Sequence, residues 1–348
     1  MISVEGKYKG AFTVQFVPVV DSNQNPLMPT TANRAASWIK SGKATPFWKK
    51  GVFCVRLNQE PSARNMQDIA VGVDPGSKRE GFTVKSKAHT YLNVQTEAVD
   101  WVKKAVATRR VLRRSRRSRK TPYRKNRKNR ARGGIPPSTK ARWNWKLRIL
   151  SWLKKIFPIT IIVVEDIKAW SKKNQKKWNK SFSPLEVGKK WFYQEVRKLG
   201  KLIKVQGWQT AEKRNEFGLK KISNKLSSSF YAHCVDSFVL ALGAVGGKRK
   251  PENTRVLRII PLRFHRRQLH VQIPTKGGKR KRYGGTISLR FKRGSLVKHV
   301  KLGLTYIGGS SKDRVSLHSL ETGKRLTQSA KLEEIKFLTY SSWRFSTI

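Results

Sequence analysis

Apolar positions along the chain fall into three textures. Near the N-terminus, Phe12-Thr13-Val14-Gln15-Phe16-Val17 and Val52-Phe53-Cys54-Val55-Arg56-Leu57 alternate with the period of two expected of half-buried strands. A Pro-rich turn, Asn25-Pro26-Leu27-Met28-Pro29, and a helix near Ala32–Lys40 lie between them, which predicts a small α+β domain over 1–62. From Asp68 to Val84 the chain reads strand, Pro-Gly turn, strand, and Tyr91–Val94 adds a third strand of a β-meander. A helical run, Trp143–Ile156, leads through Pro158 to TIIVVEDI, a continuous apolar strand of the kind buried on both faces. Pro184–Leu199 has helical spacing, Leu202–Val205 is a short strand, and Ser228–Val245 is a long apolar helix. Three strands followed by alternating helices and strands imply an α/β layer. Beyond Gly246, Gly-punctuated stretches at Thr286–Phe291, Leu304–Ile307, Val315–Leu317 and Ile335–Leu338 predict a mostly β domain over 248–348.

The charge adds a demand that patterning does not show. With 77 Lys and Arg against 20 Asp and Glu, the formal charge is +57. Self-repulsion on this scale opposes compaction, and counterions released from a nucleic acid are the usual compensation. A ribosomal-type or nucleoid-coating protein would share this composition. A hydrophobic content of 38% with eleven Trp argues for packed cores rather than disorder. Cys54 and Cys234, without CxxC or paired Cys-His spacing, argue against a structural zinc site or a disulfide framework and fit a reducing compartment. The opening MISVEGKYKG lacks a signal peptide's apolar stretch, and the longest apolar run, Ile159–Val164, is too short to span a bilayer. The expectation is a cytoplasmic protein with no membrane partner.

Because acid is scarce, acids inside apolar elements need a reason. Asp74 ends a strand in VGVDPG, Glu165 ends TIIVVED, and Asp236 sits in an apolar helix with His233 one turn before it. Singly, Asp74 suits a turn before Pro-Gly, Glu165 a surface ion pair, and Asp236 a partner for Lys or Arg. Brought together and buried, three carboxylates repel unless cations sit between them. Carboxylate oxygens suit Mg²⁺ or Mn²⁺. Two such ions, about 3.5–4 Å apart, clamp the attacking and leaving oxygens of a phosphodiester. His233 is placed to orient or deprotonate the attacking water. Asp166 points to the opposite face by strand alternation and is excluded.

Between the first two acids, the run Arg109–Arg132 holds fourteen basic residues among twenty-four and no acid. At about 100° per residue, Arg109, Arg110, Arg113, Arg114, Arg116, Arg117 and Lys120 share one broad arc of a helix roughly 24 Å long. Val111, Leu112, Ser115 and Ser118 lie opposite, and Pro122 is a plausible stop. A solvated linker remains a fair reading of Tyr123–Gly134, where Asn and Gly interrupt.

In this order and on these elements, Asp74, Glu165 and Asp236 resemble the catalytic set of the RuvC-type RNase H-like nucleases. QNPLMPTT resembles the motif of the PLMP domain, and the Arg-rich run resembles a bridge helix. SFSPLEVGKKWFY, LKKISNKL, RYGGTISLRFKRGSLV and RVSLHSLETGKRLTQ resemble further segments of the IscB/IsrB proteins of insertion sequences. The resemblance spans nearly the whole chain. It implies an α/β fold: an RNase H-like (RuvC) core split in sequence by the bridge helix, with a small α+β N-terminal PLMP domain and a mostly β C-terminal domain. The implied divisions are the PLMP domain at 1–62, RuvC segment I at 63–100, the bridge helix and basic linker at 101–134, RuvC segments II and III at 135–247, and the C-terminal domain at 248–348.

No histidine lies between Glu165 and His233, so the HNH nuclease that IscB inserts there has no ligands, and the resemblance is to IsrB. It implies a nickase with two Mg²⁺ ions, Mn²⁺ substituting, that takes an omega RNA, one chain per RNA, and cuts the non-target strand of DNA. Asp74, Glu165 and Asp236 would be the metal ligands, His233 the base, and the arginines the grip on guide RNA. Base pairing would read sequence while the C-terminal domain reads a short adjacent motif. Arg263, Arg266, Arg267, Lys279, Arg280, Lys281 and Arg282 are phosphate or base contacts there, or a solvated basic face.

Overall fold

The computed structural model describes residues 16–118, 134–166, 168, 184–224, 227–263, 269–270, 282–283 and 287–348. Within it, residues up to Asn65 join Leu257–Ile348 in one compact unit, and Met66–Val256 form the other.

In the first unit, strands β1 (Phe16–Val20), β2 (Pro26–Thr31), β3 (Ala44–Lys49) and β4 (Val52–Leu57) lie in the order β2-β1-β4-β3. Helix α1 (Ala32–Lys40) starts at Thr31, whose hydroxyl accepts from the Arg34 N–H at 3.4 Å. It packs Ala35, Trp38 and Ile39 onto Val17, Val19 and Val55. The Pro-rich stretch read as a turn is strand β2 from Pro26 onward. The reversal lies just before it, where the buried Asp21 carboxylate accepts from the Asn25 backbone N–H at 2.8 Å. Pro26 and Pro29 are tolerated because β2 is an edge strand, paired on one side only, so its backbone is not required to donate to a second neighbour. Pro46 lies on the other edge, in β3, a strand the alternation did not reveal. The expected alternation at Phe12–Gln15 lies outside the described residues.

The same unit holds an antiparallel five-stranded sheet in the order Arg325–Ala330, Arg314–Ser319, Gly303–Ser311, Ser295–His299, Ile335–Tyr340. Val297, Ile307, Val315, Leu317 and Ala330 form its core. The strand expected at Thr286–Phe291 is instead a tight hairpin between Ile287–Ser288 and Phe291–Lys292, with Leu289 at φ +53°.

The second unit opens with the meander β5 (Ile69–Asp74), β6 (Arg79–Ser86) and β7 (Thr90–Glu97). Helices α2 (Trp101–Ser118) and α3 (Pro137–Lys154) precede β8 (Ile159–Asp166). Then follow α4 (Lys189–Arg197), β9 (Lys201–Gln206), α5 (Gly207–Glu216) and α6 (Phe230–Val245). The five strands lie in the order β7-β6-β5-β8-β9, with β6 antiparallel to its neighbours and β5, β8 and β9 mutually parallel. The α/β layer expected from the alternation is present. Helix α5 was not expected: among its residues only Thr210 is fully buried, so it has no apolar period. Its signal is the reciprocal capping of Gln206 and Gln209.

Two glycines bring α6 against the sheet. A Cβ on Gly72 of β5 would lie 1.8 Å from the Ser237 carbonyl oxygen, and one on Gly81 of β6 would lie 2.0 Å from that of His233. No other residue lets the helix backbone approach so closely. Thr83 completes the contact, its hydroxyl 2.8 Å from that of Ser237. On the opposite face α3 buries Trp143, Trp145, Ile149 and Leu153, with the Trp143 ring stacked on Phe192 of α4 at 4.3 Å.

Gly72→Val is therefore expected to destabilise this unit by about 1–3 kcal/mol or more, by overpacking. Gly243→Ala, inside α6 and facing only the flexible end of Lys213, should be neutral or stabilising by up to about 1 kcal/mol. Urea unfolding midpoints check the pair; equal shifts would contradict the close-approach argument.

Candidate active site

Asp74 is the last residue of β5 and Glu165 the penultimate residue of β8. The register Val73↔Val164 places them side by side at the carboxyl ends of adjacent parallel strands. Alternation puts Asp74 on the face of Gly72, toward α6, where Asp236 is buried at 2% exposure. The Asp74 and Glu165 carboxyls lie close enough for each to act on the other's ionisation, and like charges at close quarters favour a proton on one of them. Burial, then the charges of Asp74 and Asp236, push the Glu165 carboxyl up to about 8. Asp74 is also raised, by burial first and by Asp236, against the opposing pull of Lys221.

Basic side chains hold the third acid. Arg214 of α5 donates to Asp236 Oδ1 at 2.6 Å, and the Lys221 ammonium donates to Oδ2. Lys221 Nζ also lies 3.9 Å from Asp74 Oδ2. Burial works against the charge on Lys221, but Asp74 and Asp236 hold its pKa above the usual range. Neither residue stood out in the sequence, because 77 basic residues give no contrast.

Beneath the Asp74 turn lies a second group that the sequence did not reveal. Lys146 of α3 and Glu80 of β6 form a wholly buried ion pair at 2.8 Å, and Lys146 also donates to the Gly76 carbonyl at 3.3 Å. Burial, offset by Lys146, raises the Glu80 carboxyl to about 6. Breaking such a pair by removing one partner is far more costly than replacing both, so the pair ties α3 to the turn carrying Asp74. Glu80 could have been found by the argument applied to the other acids: a scarce acid in an apolar strand.

His233 is buried on α6 one turn before Asp236, with its carbonyl against Gly81. Asp166 faces the other way, accepting from Lys189 at 3.0 Å and from the Tyr193 hydroxyl at 2.9 Å. Burial opposes its charge, but these bonds hold its pKa below the usual carboxylate range.

Helix α2 begins at Trp101, separated by three residues from the last strand of the meander, which ends at Glu97, and runs through Ser118. Arg109, Arg110, Arg113 and Arg114 are exposed on it. The face expected to be apolar is exposed as well, with Val111 at 64% and Leu112 at 61%. Arg116 and Arg117 are on the helical backbone, while Lys120 lies outside the described residues, as do Arg266, Arg267, Lys279, Arg280 and Lys281. Arg263 is exposed.

The donor chemistry of Asp74, Glu165 and Asp236, all carboxylate oxygen, fits a hard divalent cation. Among the described residues no group of three or more His, Cys, Asp or Glu side chains is arranged as a metal cluster. The two oxygens of Asp236 are turned to Arg214 and Lys221.

Sheet and acids together define a mixed α/β domain built around an acidic centre. A family model described as RRXRR protein matches residues 17–182, just under half of the chain. The match takes in Asp74, the basic helix and Glu165 but stops before His233 and Asp236, and the string Arg113-Arg114-Ser115-Arg116-Arg117 has the pattern of that name. Among solved structures, RuvC of T. thermophilus in complex with a Holliday junction substrate is similar at 13% identity and a TM-score of 0.28, covering 50% of this chain and 90% of that one. No curated protein matches. Among the described residues no helix is long and apolar enough to cross a membrane.

Between about pH 4.5 and 8 the unfolded chain has released the Glu165 proton that the folded protein keeps, so stability falls as pH rises through that window. Glu80 adds the same sign up to about pH 6. The metal-free melting temperature should therefore drop from about pH 5 to 8, and Glu165→Gln should flatten the drop. An equal slope in the variant would show that Glu165 does not hold the proton.

Proposed function

We propose that this chain is an RNase H-like, RuvC-type endonuclease that works with a guide RNA and nicks the displaced strand of a DNA target. The observation that carries the nuclease reading is the Asp74–Glu165 contact at the carboxyl ends of two adjacent parallel strands, with Asp236 delivered from α6. Crevices at that end of an α/β sheet are where such folds bind ligands. Guidance rests on the resemblance to the IscB/IsrB proteins and on the excess of positive charge.

In this reading Asp74, Glu165 and Asp236 would hold divalent ions, which supply Lewis-acid polarisation of the phosphoryl oxygen and an activated water. His233 would take the proton of the attacking water, its place one turn before Asp236 putting both side chains on one helix face. Buried Lys146 and Glu80 keep the Asp74 turn fixed, so that the first ligand needs no rearrangement. Arg109, Arg110, Arg113 and Arg114, exposed on a helix of eighteen residues, would hold RNA phosphates, the role that the sequence pattern also assigns to Arg116, Arg117 and Lys120. Val111 and Leu112, exposed in the free chain, would be covered in that complex. The basic C-terminal unit would read the motif beside the target.

Asp74→Ala, Glu165→Ala and Asp236→Ala are each expected to abolish nicking, a loss of at least about a thousandfold by analogy with other groups that act as a unit, while co-purifying RNA stays bound. Plasmid nicking and RNA recovery from the same preparations check this. Full activity in any one of the three removes that residue from the centre.

A further inference from the structure

Asp236 is answered by two cations of different character. Arg214 is fixed: it projects from α5, its side chain is 18% exposed, and it bonds Oδ1. Lys221 reaches in from the irregular segment between α5 and α6, with its side chain 37% exposed, and bonds Oδ2. Its segment is pinned on both sides of the lysine, by buried Leu219 and by the Ile222 N–H donating to the Tyr231 carbonyl at 3.0 Å. Only the flexible stem and ammonium are free to move, and they have water to move into.

A structural ion pair needs one acid. The Lys221 ammonium faces two, from two different elements: Oδ2 of Asp236 on α6 and, 3.9 Å away, Oδ2 of Asp74 on β5. Glu165 ends the neighbouring parallel strand beside Asp74, and its charge also acts on the Lys221 ammonium. The ammonium thus supplies the positive charge that the acids demand, between two of the carboxylates that would ligate a divalent ion. Three donors on a compact point charge suit this better than a planar guanidinium would.

We infer that Lys221 is a tethered counter-cation: it closes the acidic centre of the metal-free protein, and its ammonium leaves Asp236 and Asp74 for solvent when a divalent ion enters. Arg214 stays and orients Asp236. The inference rests on the metal-dependent reading above and adds a positioning residue to it. It also gives the centre a default state in which the acids are neutralised and no metal is held, so that loading requires an exchange of one cation for another.

The test uses the full chain and Mn²⁺ as probe, with free Mn²⁺ followed by electron paramagnetic resonance and stability by thermal melting. Lys221→Met should bind Mn²⁺ about five- to tenfold more tightly than the natural protein, the scale of removing one partly exposed charge competitor. Its metal-free form should melt earlier, and saturating Mn²⁺ should close that gap. Lys221→Gln, which keeps a hydrogen-bonding head, guards against misfolding of the methionine variant and should show the same direction. Binding that depends on Asp74 but is unchanged or weakened in both variants overturns the exchange. No Asp74-dependent binding in any of the three proteins overturns the metal reading itself, and the inference with it.

Discussion

The repulsion among Asp74, Glu165 and Asp236 is the constraint on which the surrounding structure depends. Each comes from a different element and each is largely withdrawn from water. The molecule answers in three ways. The Glu165 carboxyl is pushed up to about 8, by burial and by the charges of Asp74 and Asp236. Lys221 and Arg214 neutralise Asp236. A separate buried pair, Lys146 with Glu80, braces the turn below from the far face of the sheet. These features are costly for stability alone, since buried ion pairs can be replaced by apolar groups at little loss. Their concentration at one end of one sheet is what supports the proposal of a functional centre there.

The fold supplies the geometry by ordinary means. Parallel pairing of β5 with β8 brings two acids from distant segments to the same edge. Glycines at 72 and 81 let α6 lie directly on the strands and carry Asp236 and His233 to that edge. The basic helix α2 leaves the meander and the chain returns through α3 to β8, so the helix is anchored at its start in the same sheet. With Arg109, Arg110, Val111, Leu112, Arg113 and Arg114 all exposed, α2 offers both a basic and an apolar surface, as the proposed RNA contact requires.

Much of this was legible in the sequence because its signals are periodic or scarce. TIIVVED stands out as an apolar run that ends in two acids and the segment around Asp236 as one interrupted by a single acid, and Pro-Gly marks the first turn of the meander. What escaped has a physical reason in each case. The prolines of β2 read as a turn because the edge position that tolerates them is a property of sheet order, not of local sequence. Helix α5 buries too little to show a period. Lys221, Arg214 and Lys146 are three basic residues among 77, and only the fold separates them from the rest. The bland reading of Asp236 as a partner for Lys or Arg describes the metal-free centre well, and the ligand reading needs that partner to yield.

The central claim, that this acidic centre is a metal-dependent nuclease working through bound RNA, is tested most directly on supercoiled plasmid. The protein with its co-purifying RNA, and the same protein stripped of RNA, are incubated with and without Mg²⁺ on a plasmid carrying the sequence that the recovered RNA would pair with. The account predicts open-circular product only when RNA and Mg²⁺ are both present. Equal cutting without RNA, or cutting in the presence of chelator, would contradict it.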